Sequence, residues 1–169
     1  MDEAAFTALT SATDPAMVVV TTVAEGERAG CLVGFHSQSS ISPAHYSVWL
    51  SKANHTYRVA LRASHLAVHV LTVEDLPLAE HFGTLSGEKA EKFSGLETSA
   101  GEGGVPLLEG CPHRMLLERI TMLDDGGDHV SVTGTVLSAR SSGSLLPLRL
   151  SHVAHLRAGH DSEERAIRP

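Results

Sequence analysis

AMVVVTTVAEGERAGCLVGFH, Ala16 to His36, decides the fold. Ala16–Val23 carries β-branched residues at odd and even positions alike, EGER turns, and Ala29–His36 resumes an apolar extended pattern. Valine and threonine on both faces predict a strand covered on both sides, and the short polar turn predicts an antiparallel partner. Such a pair belongs in a barrel or a sandwich.

The rest of the chain continues the pattern. His45–Ser51 alternates Tyr46, Val48 and Leu50 against His45, Ser47 and Trp49, which predicts a third strand. Asn54 is a good cap for a short helix over Tyr57–Ala63, and Leu66–Thr72 reads as a fourth strand. Glu74–Phe82 places acids in the first turn of a helix, where the helix dipole favours them. Ser86–Phe93 is polar and partly helical, and the glycines of Glu97–Gly104 predict a loop. His113–Leu123 and His129–Ala139 are strands joined by DDGGD, a strong hairpin signal, and a last strand is expected within Leu146–Leu156. Ahead of the first hairpin, Asp2–Ala12 suits a helix capped by Asp2, with Ala5, Phe6 and Leu9 as its apolar stripe. Six or seven strands with short helical insertions, and no crossover helix among the first three, predict a small antiparallel β-barrel, closed or nearly so.

Composition narrows the function. At 169 residues and 42% hydrophobic, the chain supports one full core. One domain is expected over residues 1–156, followed by a charged, mobile tail over 157–169. Twenty acids against thirteen bases oppose a large nucleic-acid footprint or an anionic membrane surface, so an anionic ligand must be met by a local basic cluster. Aromatics at 4% poorly supply a stacking platform for single-stranded nucleic acid. No run reaches the ~18 apolar residues of a spanning helix, and the N-terminus carries acids where a secretory signal carries bases, so a cytoplasmic protein is expected. Cys31 and Cys111 form neither a CxxC pair nor a disulfide framework and read as buried apolar residues. Eleven histidines invite a metal, yet His65 and His69 are four apart on a strand, roughly 13 Å, and His152 and His155 fall on opposite faces of the expected last strand. No metal site is expected.

Six segments in order carry a resemblance: PAMVVVTTVAEGERAGCLVGF, HSQSSISP, VWLSKANHTYR, HLAVHVLTVEDLPLAEHFG, SGEKAEKFSGL and GGDHVSVTGTV. Together, over about Asp14 to Leu156, the chain resembles the flavin reductase-like family with the FMN-binding split barrel. The resemblance implies a split β-barrel enzyme that takes hydride from NADH or NADPH and reduces FMN, with FAD as the alternative flavin. It also implies a homodimer with flavin near the subunit interface, and a flavin-dependent monooxygenase as a downstream partner.

On that resemblance, the crowd of small hydroxyls in HSQSSISP acquires a purpose. A flavin presents ring carbonyls and nitrogens, a chain of hydroxyls and a phosphate, and short side chains meet these without bulk. His36, Ser37, Gln38, Ser39 and Ser40 are therefore expected along the flavin, with Pro43 fixing the exit of the chain. Ser51, Lys52, Ala53, Asn54 and Thr56 are expected at the ribityl chain and phosphate, where a capped helix start offers amides. Lys89, Lys92 and Phe93 form the basic segment that would reach the same phosphate or that of the nicotinamide nucleotide. His129 of the Gly-Asp-His is the catalytic candidate, to position nicotinamide or relay a proton; a plain hairpin hydrogen bond to Asp128 or a backbone carbonyl is the competing role.

The chain also departs from the family. Gly34-Phe35 stands where many members have Asn-Ser, Gln38 where a serine is common, and Val68-His69-Val70 where Val-Asn-Val is frequent. These changes bear on the ring contacts, and they motivate two other readings. One is a relative that acts on an organic substrate or uses deazaflavin or haem. The other, independent of turnover, is a flavin-storing protein. No glycine-rich turn with a following acid selects NADH over NADPH.

Overall fold

The computed structural model describes residues 1–85 and 91–157. Helix α1 covers Glu3–Ala12, capped by Asp2, whose carboxylate accepts from Ala5 N–H. Strands β1 (Val18–Ala24) and β2 (Glu27–Val33) form the expected hairpin, followed by β3 (His36–Ser40) and β4 (His45–Ser51). Helix α2 (His55–Ala60), β5 (His65–Val70) and α3 (Leu76–Thr84) come next. A small hairpin of β6 (Thr98–Ala100) and β7 (Pro106–Leu108) precedes the long pair β8 (Arg114–Leu123) and β9 (His129–Arg140).

Seven strands make one antiparallel sheet in the order β2-β1-β5-β8-β9-β4-β3. Its two edges, β2 and β3, are consecutive in the chain and separated by Gly34 and Phe35 alone. Three peptide steps reach at most about 11 Å, so the sheet has to curl until its edges meet. Among the described residues no ladder joins β2 to β3, and the barrel wall is split along that seam.

The doubly covered β1 is explained by two cores. Val18 and Val20 point into the barrel with Cys31, Val48, Leu50, Leu66, Val68, Leu117 and Val132. Val19 points outward into a second core with Met17, Leu71, Phe82, Phe93, Leu108 and Cys111, closed by α3 and the chain around Leu148. Both cysteines are buried and free. Helix α3 lies close on β2 because Gly30 has no side chain: a Cβ there would stand 2.8 Å from the Phe82 ring.

Three expectations change. The serine-rich segment is the edge strand β3 rather than a loop. The final strand does not form, since Pro147 lacks an amide donor and the segment makes only isolated bridges, Thr72 to Pro147 and Ala16 to Arg149, before a 3-10 turn at Leu150–Val153. The glycine-rich loop contains β6. Lys89 and the tail beyond Arg157 lie outside the described residues.

Gly134 marks the tightest point of the wall. A Cβ there would stand 2.8 Å from the Glu118 carbonyl oxygen, next to the register shift between Arg119 and Thr121. Backbone cannot yield as a side chain does, so Gly134→Ala is expected to cost about 2 kcal/mol. A urea titration that leaves the midpoint where it was would refute this.

Candidate functional site

A cavity of about 360 Å³ opens where the seam meets the ends of β4 and β9, within the size range of small-molecule sites. Val33, Gly34 and Phe35 line it from the link between the two edge strands. Trp49 and Ser51 line it from β4, Asn54 from the start of α2, and Asp128 and His129 from the start of β9. Phe82 and Gly83 of α3, with Met17, Cys31 and Leu150, supply an apolar side. The chain has one Trp, two Tyr and four Phe, and the Trp and two of the Phe line this one cavity. That concentration suits a planar ligand.

Sheet register brings the polar members together. Ser51 pairs with His129 across β4 and β9 although they are far apart in sequence. The His129 ring sits 5.1 Å from the Phe35 ring, tilted by 59°, and its Nδ1 is 2.8 Å from Asp128 Oδ1. The hydrogen bond from His129 holds the Asp128 carboxyl below the usual carboxylate range. Trp49 N–H donates to the Phe35 carbonyl at 2.9 Å, which fixes the backbone of the link while the Phe35 side chain stays exposed.

Lys52, expected on a phosphate, extends instead to Asp124 at 2.8 Å, and its backbone N–H donates to the Asp128 carbonyl. That Lys52 bond is the main reason the Asp124 carboxyl stays below its ordinary range. Ser51 Oγ accepts from Ala53 N–H, and Asn54, which lines the cavity, caps α2 with its Oδ1 by accepting from Thr56 N–H. Thr56 is buried, and its hydroxyl is spent on the Cys31 sulfur. Burial pushes the Cys31 thiol up, so it is a poor nucleophile.

The serine-rich strand lies beside this cavity rather than on its lining. His36 turns inward, stacked on Tyr46, with Nε2 2.7 Å from the Ala16 carbonyl and Nδ1 2.6 Å from the Tyr46 hydroxyl. A carbonyl can only accept, so Nε2 carries the proton and Tyr46 donates to Nδ1. Ser37 donates to the Gln38 carbonyl, Gln38 to the Ser40 carbonyl, and Ser39 accepts from Ser47, which also bonds Thr133. These side chains blunt an open sheet edge.

Lys92 and Phe93 are placed differently from the expectation. The Lys92 ammonium is buried, donating to the Gly30 and Phe82 carbonyls at 3.0 Å each, over the face of Phe82. Its stem completes the second core, and burial lowers its affinity for the proton. Phe93 packs edge-on against Phe82 beneath Arg28. His69, one of the departures, is fully buried away from the cavity: Nδ1 donates to the Val19 carbonyl at 3.2 Å and Nε2 accepts from Leu108 N–H at 3.1 Å. It rivets the β6–β7 hairpin to the barrel.

Ser51, Asn54 and His129 are the expected residues that the cavity gathers; Phe35, Trp49 and Asp128 join them. Asp128 was legible as the neighbour of His129 in the hairpin signal. Phe35 and Trp49 were not, because only closure of the sheet brings them to one mouth. An apolar floor, an aromatic rim and a polar end fit a flat ring with a hydroxylated chain.

The flavin reductase like domain matches residues 11–153. Among curated proteins, the chain is 26% identical over 124 residues to the ferric-chelate reductase (NAD(P)H) of Archaeoglobus fulgidus, covering 73% of each. It is 30% identical over 103 residues to the high molecular weight rubredoxin of Moorella thermoacetica, covering 60% of this chain and 45% of that one, so it spans less than half of that relative's length. The structure of the flavin reductase HpaC complexed with NADP+ superposes with a TM-score of 0.71 at 20% identity, over 85% of this chain and 91% of the other. With a family match across nearly the whole described barrel, the chain belongs to the flavin reductase like domain family.

Proposed function

We propose that this protein is an NAD(P)H-dependent flavin reductase that binds FMN in the seam cavity. The observation that carries the reading is the cavity itself: aromatic at the rim, apolar on one side, and lined with Ser51, Asn54 and the Asp128–His129 pair at its polar end. The NADP+ complex of HpaC supports a nicotinamide nucleotide as the hydride donor. FAD is the alternative flavin, and NADH and NADPH both remain donors to be tested.

Bound flavin supplies the hydride chemistry, accepting two electrons from nicotinamide at its ring. The chain's own residues bind and orient. Phe82, Val33 and Met17 would form the dry side against the ring, and Phe35 and Trp49 the outer aromatic face. Ser51 and Asn54 would meet the ribityl chain. Lys52 would exchange Asp124 for the phosphate, the edge strand Ser37–Ser40 would flank the ring, and Lys89, outside the described residues, is kept as a further phosphate contact. His129 would contact the incoming nicotinamide. A homodimer through the outer face of β8 and β9, where Ile120, Leu123 and Leu137 are exposed, and a monooxygenase that uses the reduced flavin complete the proposal.

A titration of the protein with FMN, FAD and riboflavin, read by quenching of flavin fluorescence, tests the site. FMN is expected to bind about tenfold more tightly than riboflavin, the worth of one hydrogen bond to a charged phosphate. Equal affinities would remove the phosphate site, and no quenching with any of the three would remove the flavin. Steady-state consumption of NADH or NADPH with excess free flavin then separates a reductase from a storage protein, which would show a single reduction and stop.

A further inference from the structure

Asp128 lines the polar end of the cavity but has no role of its own in the function above. Its Oδ1 lies 2.8 Å from His129 Nδ1, and both residues line the cavity. Its backbone carbonyl is held by Lys52 N–H at 2.9 Å, and the ammonium of Lys52 makes its ion pair with Asp124 at 2.8 Å. His129 is held from three sides: its backbone by the register with Ser51, its ring face by Phe35 at 5.1 Å, and its Nδ1 edge by Asp128. Turning the ring over would replace the Nδ1 hydrogen bond with a C–H. Among the described residues none hydrogen-bonds Nε2.

We infer that Asp128 is a positioning residue that keeps His129 protonated on Nδ1, so that Nε2 faces the ligand as a hydrogen-bond acceptor. The reason is the inventory of the pair. An ionised carboxylate can only accept, so the shared proton belongs to Nδ1, and a ring that carries a single proton then has its lone pair on Nε2. The main cause of the lowered Asp128 proton affinity is this same bond, and a carboxylate is in any case ionised near neutrality. In water a neutral histidine side chain favours the opposite form, with the proton on Nε2. Asp128 therefore reverses the polarity of the nitrogen offered to the cavity, which selects a ligand group that donates N–H or O–H over one that offers a carbonyl alone. Its consequence for turnover rests on the flavin reductase reading; the position of the proton does not.

The test uses the full chain labelled with [15N]histidine and long-range 15N–1H correlation at neutral pH, with the His129→Ala spectrum identifying the His129 signals among those of eleven histidines. Wild type is expected to show Nδ1 protonated and Nε2 bare, and Asp128→Ala to move the proton to Nε2. In parallel, kcat/KM for the nicotinamide nucleotide is expected to fall about tenfold in Asp128→Ala, one hydrogen bond's worth for a side chain that is 62% exposed. Asp128→Asn, whose amide oxygen still accepts from Nδ1, should recover most of that loss. Wild type protonated on Nε2 overturns the assignment, as does an Asp128→Ala protein that keeps Nδ1 protonated. A proton that moves while kcat/KM stays put overturns the positioning role. If wild type turns over no nicotinamide with any flavin, the reductase reading fails, and the 15N spectra alone decide the proton's place.

Discussion

His129→Ala should lower nicotinamide-dependent turnover by about tenfold to a hundredfold, equivalent to about 1.4–2.7 kcal/mol at the transition state, while FMN still quenches on binding. The bound is set by the division of labour. Hydride transfer is the cofactor's chemistry, and the side chain contributes orientation or a proton path rather than a bond. Among the cavity-lining residues His129 is the one imidazole and Cys31 is a raised thiol, so no second side chain there duplicates it. The check is steady-state kinetics with the flavin titration run on the same preparation. An unchanged rate would reduce His129 to a hairpin histidine bonded to Asp128, the competing role its sequence position allowed.

Acidification from pH 6.5 to about 4 should cost the fold about 3 kcal/mol through His69 alone. Its ring is buried, with both nitrogens committed to backbone groups, and desolvation lowers its pKa to about 4. The unfolded chain binds this proton near pH 6.5 and the native state does not until about pH 4. Between those values the unfolded state holds more protons, so stability rises with pH and is lost as pH falls, by about 1.4 kcal/mol per unit. Above pH 6.5 the residue has no pH effect. Urea titrations at intervals across that window, compared with His69→Asn, isolate the contribution, because the carboxylates Asp14, Glu109, Asp124 and Asp128 titrate lower and are common to both proteins. Parallel curves for the two proteins would sink the assignment. The β6–β7 hairpin should open first, since His69 binds Leu108 within it.

The wall of this barrel was readable from local pattern. Val18–Val23 is branched on both faces because β1 separates two cores, and the DDGGD turn announces β8 and β9 with His129 at the start of the second. Local signals do not show where a residue's distant partner lies. His36 and the serines look like ligand contacts in sequence; in the fold His36 bonds a tyrosine and the serines lie on an open sheet edge beside the cavity. Lys92 looks like a free cation, but its carbonyl partners Gly30 and Phe82 belong to β2 and α3. The expected last strand has an apolar pattern, but Pro147 cannot sustain a ladder.

By itself, then, the amino-acid sequence determined the antiparallel class and the β1–β2 and β8–β9 hairpins, because hydrophobic period and turn chemistry act over a few residues and need no partner, and six ordered segments carried the resemblance to the family. Tertiary structure alone decided which residues form the cavity. The sheet closes so that β2 and β3 meet across Gly34 and Phe35, and β4–β9 register sets Ser51 opposite His129. Those juxtapositions are properties of curvature and register summed over seven strands, and no window of sequence contains them.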